Sequence, residues 1–300
     1  MSEPRAATPA PSAVPAARIK RSSGSSQVHS RLNNWDAYPV LLIGGLLMVF
    51  PFVWQIIMSL STQAEVTSVP PTLVPAHLKF ENYAKVFEVL PFANQFTVSA
   101  SVTVIRVVGQ IILASMAGYA FARMTFRGNK ILFALFLSIL MVPMQIYVIP
   151  QYEIVRSMGL LNSVLGIAAP GVFSAFSTFL MRQHYLGMPR ELEEAARLDG
   201  CNPFQIYWRV MLPLSGPALG SVAILTTMAS WNDLLWPLVV ATYDQNMPLS
   251  VGLATLSGQY STNYPMMMAA SLMAMLPIII LFIVLQKRVV NGLAHSGLKG

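Results

Sequence analysis

Six stretches of this chain stay apolar for about 20 residues each, and nothing else in the sequence constrains its fold as tightly. That is the length an α-helix needs to cross a hydrocarbon layer about 30 Å thick at 1.5 Å per residue. The runs lie near residues 38–60, 96–120, 131–150, 163–181, 217–238 and 265–285. Gly166, Pro170, Gly171 and several serines dilute the fourth, and Pro51, Pro143, Pro170, Pro237 and Pro277 fall in or near the runs. Prolines would end such helices in water, but in a packed membrane bundle neighbouring helices satisfy the freed carbonyls. Only 10% of the 300 residues are charged and 55% are hydrophobic, whereas soluble domains carry about a quarter charged residues. The chain therefore reads as an all-α polytopic membrane protein with six transmembrane helices. A soluble enzyme and a disordered or collagen-like chain are excluded.

Charge placement gives the expected orientation. Fifteen of the 19 Lys and Arg lie in the tail, between the second and third runs, in 182–216 and at the C-terminal end. Lys79, Lys85 and Arg156 are the basic residues of the opposite loops, so both termini are expected in the cytoplasm. Residues 1–35, rich in Ala, Pro and Ser, read as a disordered cytoplasmic tail. Residues 36–290 read as the six-span domain, with a large cytoplasmic loop at 182–217, and 291–300 as a short cytoplasmic tail. The 61–95 loop, with Phe80, Tyr83, Phe87 and Phe92, is expected to pack as a small external cap. The net charge of +7 belongs to membrane-flanking residues rather than to a nucleic-acid surface. Cys201 alone cannot form an internal disulfide, and His29, His77, His184 and His295 lack metal-ligand spacing. No metal site or bound cofactor is expected.

The loop between runs four and five is unlike an ordinary positive anchor, because 182–216 holds four acids and four bases. Residues 190–199 are good helix formers, and Gly200 is a natural terminator. Asn202 as N-cap with Pro203 at the first helical position then starts a second short helix, which Pro213 is expected to end. Two helices joined by a tight turn suit a docking surface.

Glu194-Ala195-Ala196, three residues, Gly200, nine residues and Val210-Met211-Leu212-Pro213 resemble the EAA loop of binding-protein-dependent ABC importer permeases. Only Val210, where that pattern has Ile, departs from it. The resemblance covers nearly all of 38–300. Phe80-Glu81-Asn82-Tyr83, Tyr119-Ala120-Phe121-Ala122-Arg123, Met141-Val142-Pro143, Trp231-Asn232-Asp233 with Trp236-Pro237, and the ending Gly292 to Gly300 are similar to the shorter six-span permease of the sugar subfamily. The resemblance implies a type I, MetI-like permease fold. It further implies a second permease subunit, a cytoplasmic ABC ATPase dimer carrying ATP and Mg, an external solute-binding protein and a cell-membrane location. It makes this loop the coupling helix. Leu192, Ala195, Ala196 and Leu198 are then expected to fill the ATPase cleft, with Glu194 setting register and Gly200 allowing the turn. Asp199, Leu212 and Pro213 complete the coupling segment.

The chain holds no G-x-x-x-x-G-K-[ST] phosphate loop, so energy from ATP must arrive through a partner. It is expected to be a transport subunit and not an enzyme. Arg106 and Asp233 lie at membrane depth, where charges are costly and face a partner or a cavity. They are expected either to pair or to line a solute path. Trp231 and Asn232 suit sugar recognition, by ring stacking and by an amide reading hydroxyls, yet Trp is also ordinary at membrane interfaces. An ABC permease for a non-sugar solute, such as a glycerophosphodiester, is the alternative within the family. A secondary transporter is the alternative outside it, and no inverted repeat supports it.

Overall fold

The computed structural model describes residues 34–70, 72–257 and 262–297, with side chains between 38 and 284. The expected tail lies outside the described residues up to residue 33, as do Leu298, Lys299 and Gly300. The chain divides into two units, one ending at Val49 and one running from Phe50 to Gly300. In the first, the described part is the start of α1 (Asn34–Ser59), whose side chains from Tyr38 onward are almost all exposed.

In the second unit the rest of α1 leads into α2 (Gln63–Thr67) and α3 (Glu81–Val89). The 32-residue α4 (Phe92–Arg123) follows, then α5 (Asn129–Ser138), α6 (Met144–Ser157), α7 (Val164–Ala168) and α8 (Ala175–Gly187). The loop helices are α9 (Glu191–Leu198), α10 (Pro203–Ile206) and α11 (Leu212–Leu214), the last two joined by a π-helical turn over Tyr207–Met211. α12 (Gly216–Trp231), α13 (Leu235–Val240), α14 (Leu249–Thr255) and α15 (Tyr264–Gly297) complete the chain. Among the described residues every regular element is helical, as expected.

Three helices are long and apolar enough to cross a membrane alone: Tyr38–Ser59, Phe92–Arg123 and Tyr264–Val284. Three more candidates are bent pairs, which brings the number to six if each pair is one span. The run expected at 131–150 is not straight. Asn129–Met141 and Met144–Ser157 meet at 102°. Pro143 cannot donate to the helix ladder and pushes Val142 into extended backbone at φ −89°, ψ 118°. Val164–Gly171 and Ala175–Gly187 bend by 43°, and Pro203–Leu214 and Gly216–Trp231 by 76°. The run expected at 217–238 stops at Trp231, and a break at Asn232–Leu234 precedes α13. The second loop helix, expected to end at Pro213, ends one residue later at Leu214, before the 76° bend. The wide turn just before Pro213, where Leu212 N–H reaches back to the Tyr207 carbonyl, accommodates the missing proline donor. α15 continues as helix through Gly297, into the segment expected as a C-terminal tail.

α4 is the central element because small residues let others approach it. Ala114 is fully buried. At Gly118, four residues on, a Cβ would lie 2.7 Å from Met181 Cβ and 2.9 Å from the Arg182 backbone nitrogen on α8. The core lies in three clusters. Val86, Leu90 and Phe92 pack with Leu249, Met266 and Ala270. Val98, Val102 and Ile167 pack with Trp236 and Val240. Tyr119, Met181, Tyr185 and Ala196 pack with Ile206, Met211 and Val222.

The 61–95 segment packs as a cap through buried Asn82, which donates to the carbonyls of Ser59 (2.9 Å) and Ser61 (3.0 Å). Within it Glu65 closes a capping box with Thr62. Backbone N–H groups of Thr62 and Ala76 hold its carboxylate below the usual range.

The tight contact at Gly118 yields a testable expectation. Gly118→Ala should cost about 1–3 kcal/mol through overpacking against α8 backbone. Gly187→Ala, where a Cβ meets nothing within 4 Å, should be close to neutral. Thermal unfolding of the detergent-purified variants compares the two.

Candidate functional site

Two places carry the chemistry: the α9–α11 loop and a polar stripe along α4. In α9 the acids Glu191, Glu193 and Glu194 occupy the first turn and Arg197 the last, matching the helix dipole. The helix closes with a Schellman motif. Cys201 N–H bonds the Ala196 carbonyl and Gly200 N–H the Arg197 carbonyl, both at 3.0 Å, with Gly200 at φ +81°. Asn202 opens α10 with a reciprocal capping box, its side chain accepting from Gln205 N–H and its own N–H donating to Gln205, both at 2.9 Å. The turn is thus held at both ends by backbone bonds.

The faces of α9 separate cleanly. Leu192, Ala195, Leu198 and Asp199 are exposed along one side with Glu194 beside them, and Leu198 is 90% exposed. Glu193 and Ala196 point inward at 5% and 7%. Ala196, expected to fill a partner's cleft, instead packs into the chain's own cluster with Tyr185 and Tyr207. Its place three residues after Glu193 puts it on the inner face of the helix. Leu212 packs against the same cluster, and Pro213 is exposed.

Along α4, Gln95, Ser99, Thr103, Arg106 and Gln110 recur at steps of four and three residues, and all are buried. Most of them meet a polar partner on another element. Ser99 accepts from Leu249 N–H at 2.7 Å, and Thr103 donates to Ser230 at 3.3 Å. Gln110 donates to the Gly171 carbonyl at 2.8 Å and accepts from Ser177 (2.6 Å) and Thr226 (2.7 Å). Arg106 pairs with Asp233 at 2.8 Å and donates to the Ile167 carbonyl at 2.7 Å. Of the two sequence readings, pairing is therefore met. Gly171 leaves room for this guanidinium, since a Cβ there would lie 2.4 Å from Arg106 Nε.

Arg106, Gln110 and Asp233 also line a cleft of about 670 Å³ with Tyr147, Gln151 and Ser174. Trp231 and Asn232 line a different one of about 410 Å³, with Ser250, Leu253 and Ser271. The four residues read as one path thus lie on two clefts. Trp231 gives its N–H to the Ala274 carbonyl at 3.1 Å and stacks edge-on against Phe96. Asn232 caps α12 by donating to the Met228 carbonyl at 2.8 Å. Both have structural work in the chain. Gln110, Ser177 and Thr226 were missed because each reads singly as an ordinary polar residue. The helical period of buried polar positions on α4 was the available signal.

Comparison with known proteins follows the same lines. The family described as "binding-protein-dependent transport system inner membrane component" matches residues 110–295. The arabinooligosaccharides transport system permease protein AraQ of Halalkalibacterium halodurans is 37% identical over 84% of this chain and 91% of its own. This chain belongs to that permease family. The permease is also 30% identical to the sn-glycerol-3-phosphate transport system permease protein UgpE of Yersinia pestis, over 86% of this chain and 94% of that one. A solved bacterial ABC transporter involved in the import of the acidic polysaccharide alginate has a chain 27% identical to it. That chain superposes with a TM-score of 0.74 over 85% of the permease and 95% of its own length. The fold is thus that of an ABC importer permease, a multi-pass inner-membrane component. The α9–α11 loop and Asp233 fall inside the family match, and Arg106 lies just before it.

Removing one partner of the buried pair should be costly. Asp233→Asn leaves the buried Arg106 guanidinium without its counter-charge, and about 3 kcal/mol of stability should be lost. The double variant Arg106→Met/Asp233→Leu should recover part of that loss, read by thermal unfolding of the purified permease.

Proposed function

We propose that this permease is one of two membrane subunits that together form the translocation path of an ATP-driven importer for a sugar or sugar-like solute. The observation that carries the reading is the exposed apolar side of α9, Leu192, Ala195 and Leu198, presented on a turn fixed at both ends. Apolar side chains grouped on one exposed side of a rigid helix and rimmed by charged residues mark a contact site for a partner. A separate ABC ATPase, binding ATP and Mg itself, is that partner. Glu194 sets its register, and Asp199, Gly200, Leu212 and Pro213 hold the loop in shape. Orientation follows the positive-inside bias of the loops, which puts both termini in the cytoplasm.

The polar cleft of Arg106, Gln110 and Asp233 is open at the surface of a membrane-depth helix bundle. Lipid is a poor cover for such groups, so the second permease lies against it. An external binding protein delivers the solute, as the family description implies. Sugar import is supported by the arabinooligosaccharide relative, and the glycerol-3-phosphate relative supports a phosphorylated polyol as the second reading. The charge state of the cleft favours the first. Arg106 is already neutralised by Asp233 and held by a carbonyl, so no free cation is offered to a phosphate.

The test is purification of the tagged permease from native membranes in gentle detergent, with its partners identified. An ATPase, a second permease and a binding protein should be recovered. Leu198→Asp, which places a charge in the docking face, should weaken ATPase retention by about 30-fold. Gly200→Val forces a β-branched residue to φ +81° and should abolish uptake with insertion intact. Normal uptake by both variants would overturn the coupling role of the loop.

A further inference from the structure

Among the described residues the second buried ion pair, Arg123 with Glu193, belongs to neither the solute cleft nor the exposed docking face. Arg123 is the last residue of α4, and Glu193 lies on the inner side of α9. Their side chains are 5% and 7% exposed, and Arg123 Nε lies 3.2 Å from Glu193 Oε1. The N–H does not point along that line, so the attraction is Coulombic rather than a directed hydrogen bond. Arg123 Nη2 donates to the carbonyls of Tyr185, at 2.6 Å, and Met188, at the C-terminal end of α8. Its guanidinium is thus fixed to the C-terminus of one helix and charge-paired to another. On the far side Glu193 Oε2 has exposed Arg197 at 3.7 Å.

We propose that Arg123 and Glu193 are the positioning residues that join the docking helix to α4, so that displacement of α9 moves the end of the helix carrying the solute-cleft stripe. This rests on the reading of α9 as the ATPase-docking helix. The physical case has three parts. First, the pair is the ionic link between α9 and α4, and apolar packing through Ala196 and Tyr119 would by itself let the helices slide. Second, a buried charge left by its partner is heavily penalised, so the two ends cannot separate cheaply during a stroke. Third, Arg123 sits 13 residues beyond Gln110 and 17 beyond Arg106 on one unbroken helix, and a packed helix carries displacement along its axis as a body.

The test uses the complete importer reconstituted in vesicles, measuring solute uptake and ATP hydrolysis together. Glu193→Gln keeps the shape and leaves Arg123 bound to both carbonyls. It should retain the ATPase and hydrolyse ATP while uptake per ATP falls about tenfold, within the usual span of coupling between sites. Arg123→Gln should show the same loss, Arg123→Lys should recover part of it, and the double Gln variant should be no worse than either single variant. A residue important only for folding would lower assembly and leave uptake per ATP unchanged in what assembles. The proposal is overturned if Glu193→Gln transports at the unmodified ratio, or if the two single losses multiply in the double variant. Failure to recover any ATPase with the unmodified permease would sink the docking reading itself, which is a separate outcome.

Discussion

A polar side chain on a membrane-spanning helix must be met by protein, because the hydrocarbon offers no partner, and α4 turns that constraint into a frame. Its buried stripe reaches a different element at almost every step: α14 through Ser99, α12 through Thr103, the α12–α13 break and the α7 end through Arg106, and α8 through Gln110. Ser115 extends the series to the Tyr207 hydroxyl at 2.7 Å, beside the docking loop. Apolar contacts among these helices are not driven together by lipid, since lipid tails are as apolar as leucine. Directional bonds therefore set which helix lies where and at what height, and the apolar clusters fill the space that results.

The same constraint explains why so many of the helices are broken. A bend at Pro143, between Gly171 and Ala175 or at Ser215 releases carbonyls that must find donors. Some find them on α4: the Gly171 carbonyl takes Gln110, and the Ile167 carbonyl takes Arg106. Breaks and stripe are complementary. The irregular backbone at 167–171 lies where two long polar side chains of α4 reach it, and glycine at 171 lets the backbone come that close. The cleft at Arg106, Gln110 and Asp233 is a product of this arrangement, since unwound backbone does not fill space as a continuous helix does.

What the sequence made legible follows from which interactions are local. The apolar runs, the Gly200 terminator and the Asn202–Pro203 start depend on neighbouring residues, and α9 ends and α10 begins where those residues indicate. The docking loop was readable because its motif and its caps share a short segment. The 102° turn at Pro143 was not. Proline inside a membrane helix is compatible with a mild kink or a full break, and distant donors decide between them. The inward turn of Ala196 was likewise hidden, because a short helix with apolar residues on two sides does not declare which side its own bundle claims. The pairing of Arg106 with Asp233 was one of two readings, and only the fold brings residues 127 apart in sequence to 2.8 Å.

The position of the charges on α4 now has a mechanical sense. Near its middle, Arg106 is locked to Asp233 on the α12–α13 break and to the α7 end. At its terminus, Arg123 is locked to Glu193 on α9 and to the end of α8. Between them lies helix without proline, packed at Gly118 too closely against α8 for independent movement. A helix anchored by charge at two heights and stiff between them cannot flex to absorb a push at one end. It must tilt or shift as a unit, and any change in how α9 is seated reappears at Arg106, beside the cleft. Lysine or glutamine at either position would keep a hydrogen bond. The planar guanidinium instead fixes itself to backbone carbonyls of a neighbouring helix while its charge holds a carboxylate on another element, which is what rigid transmission through a bilayer requires.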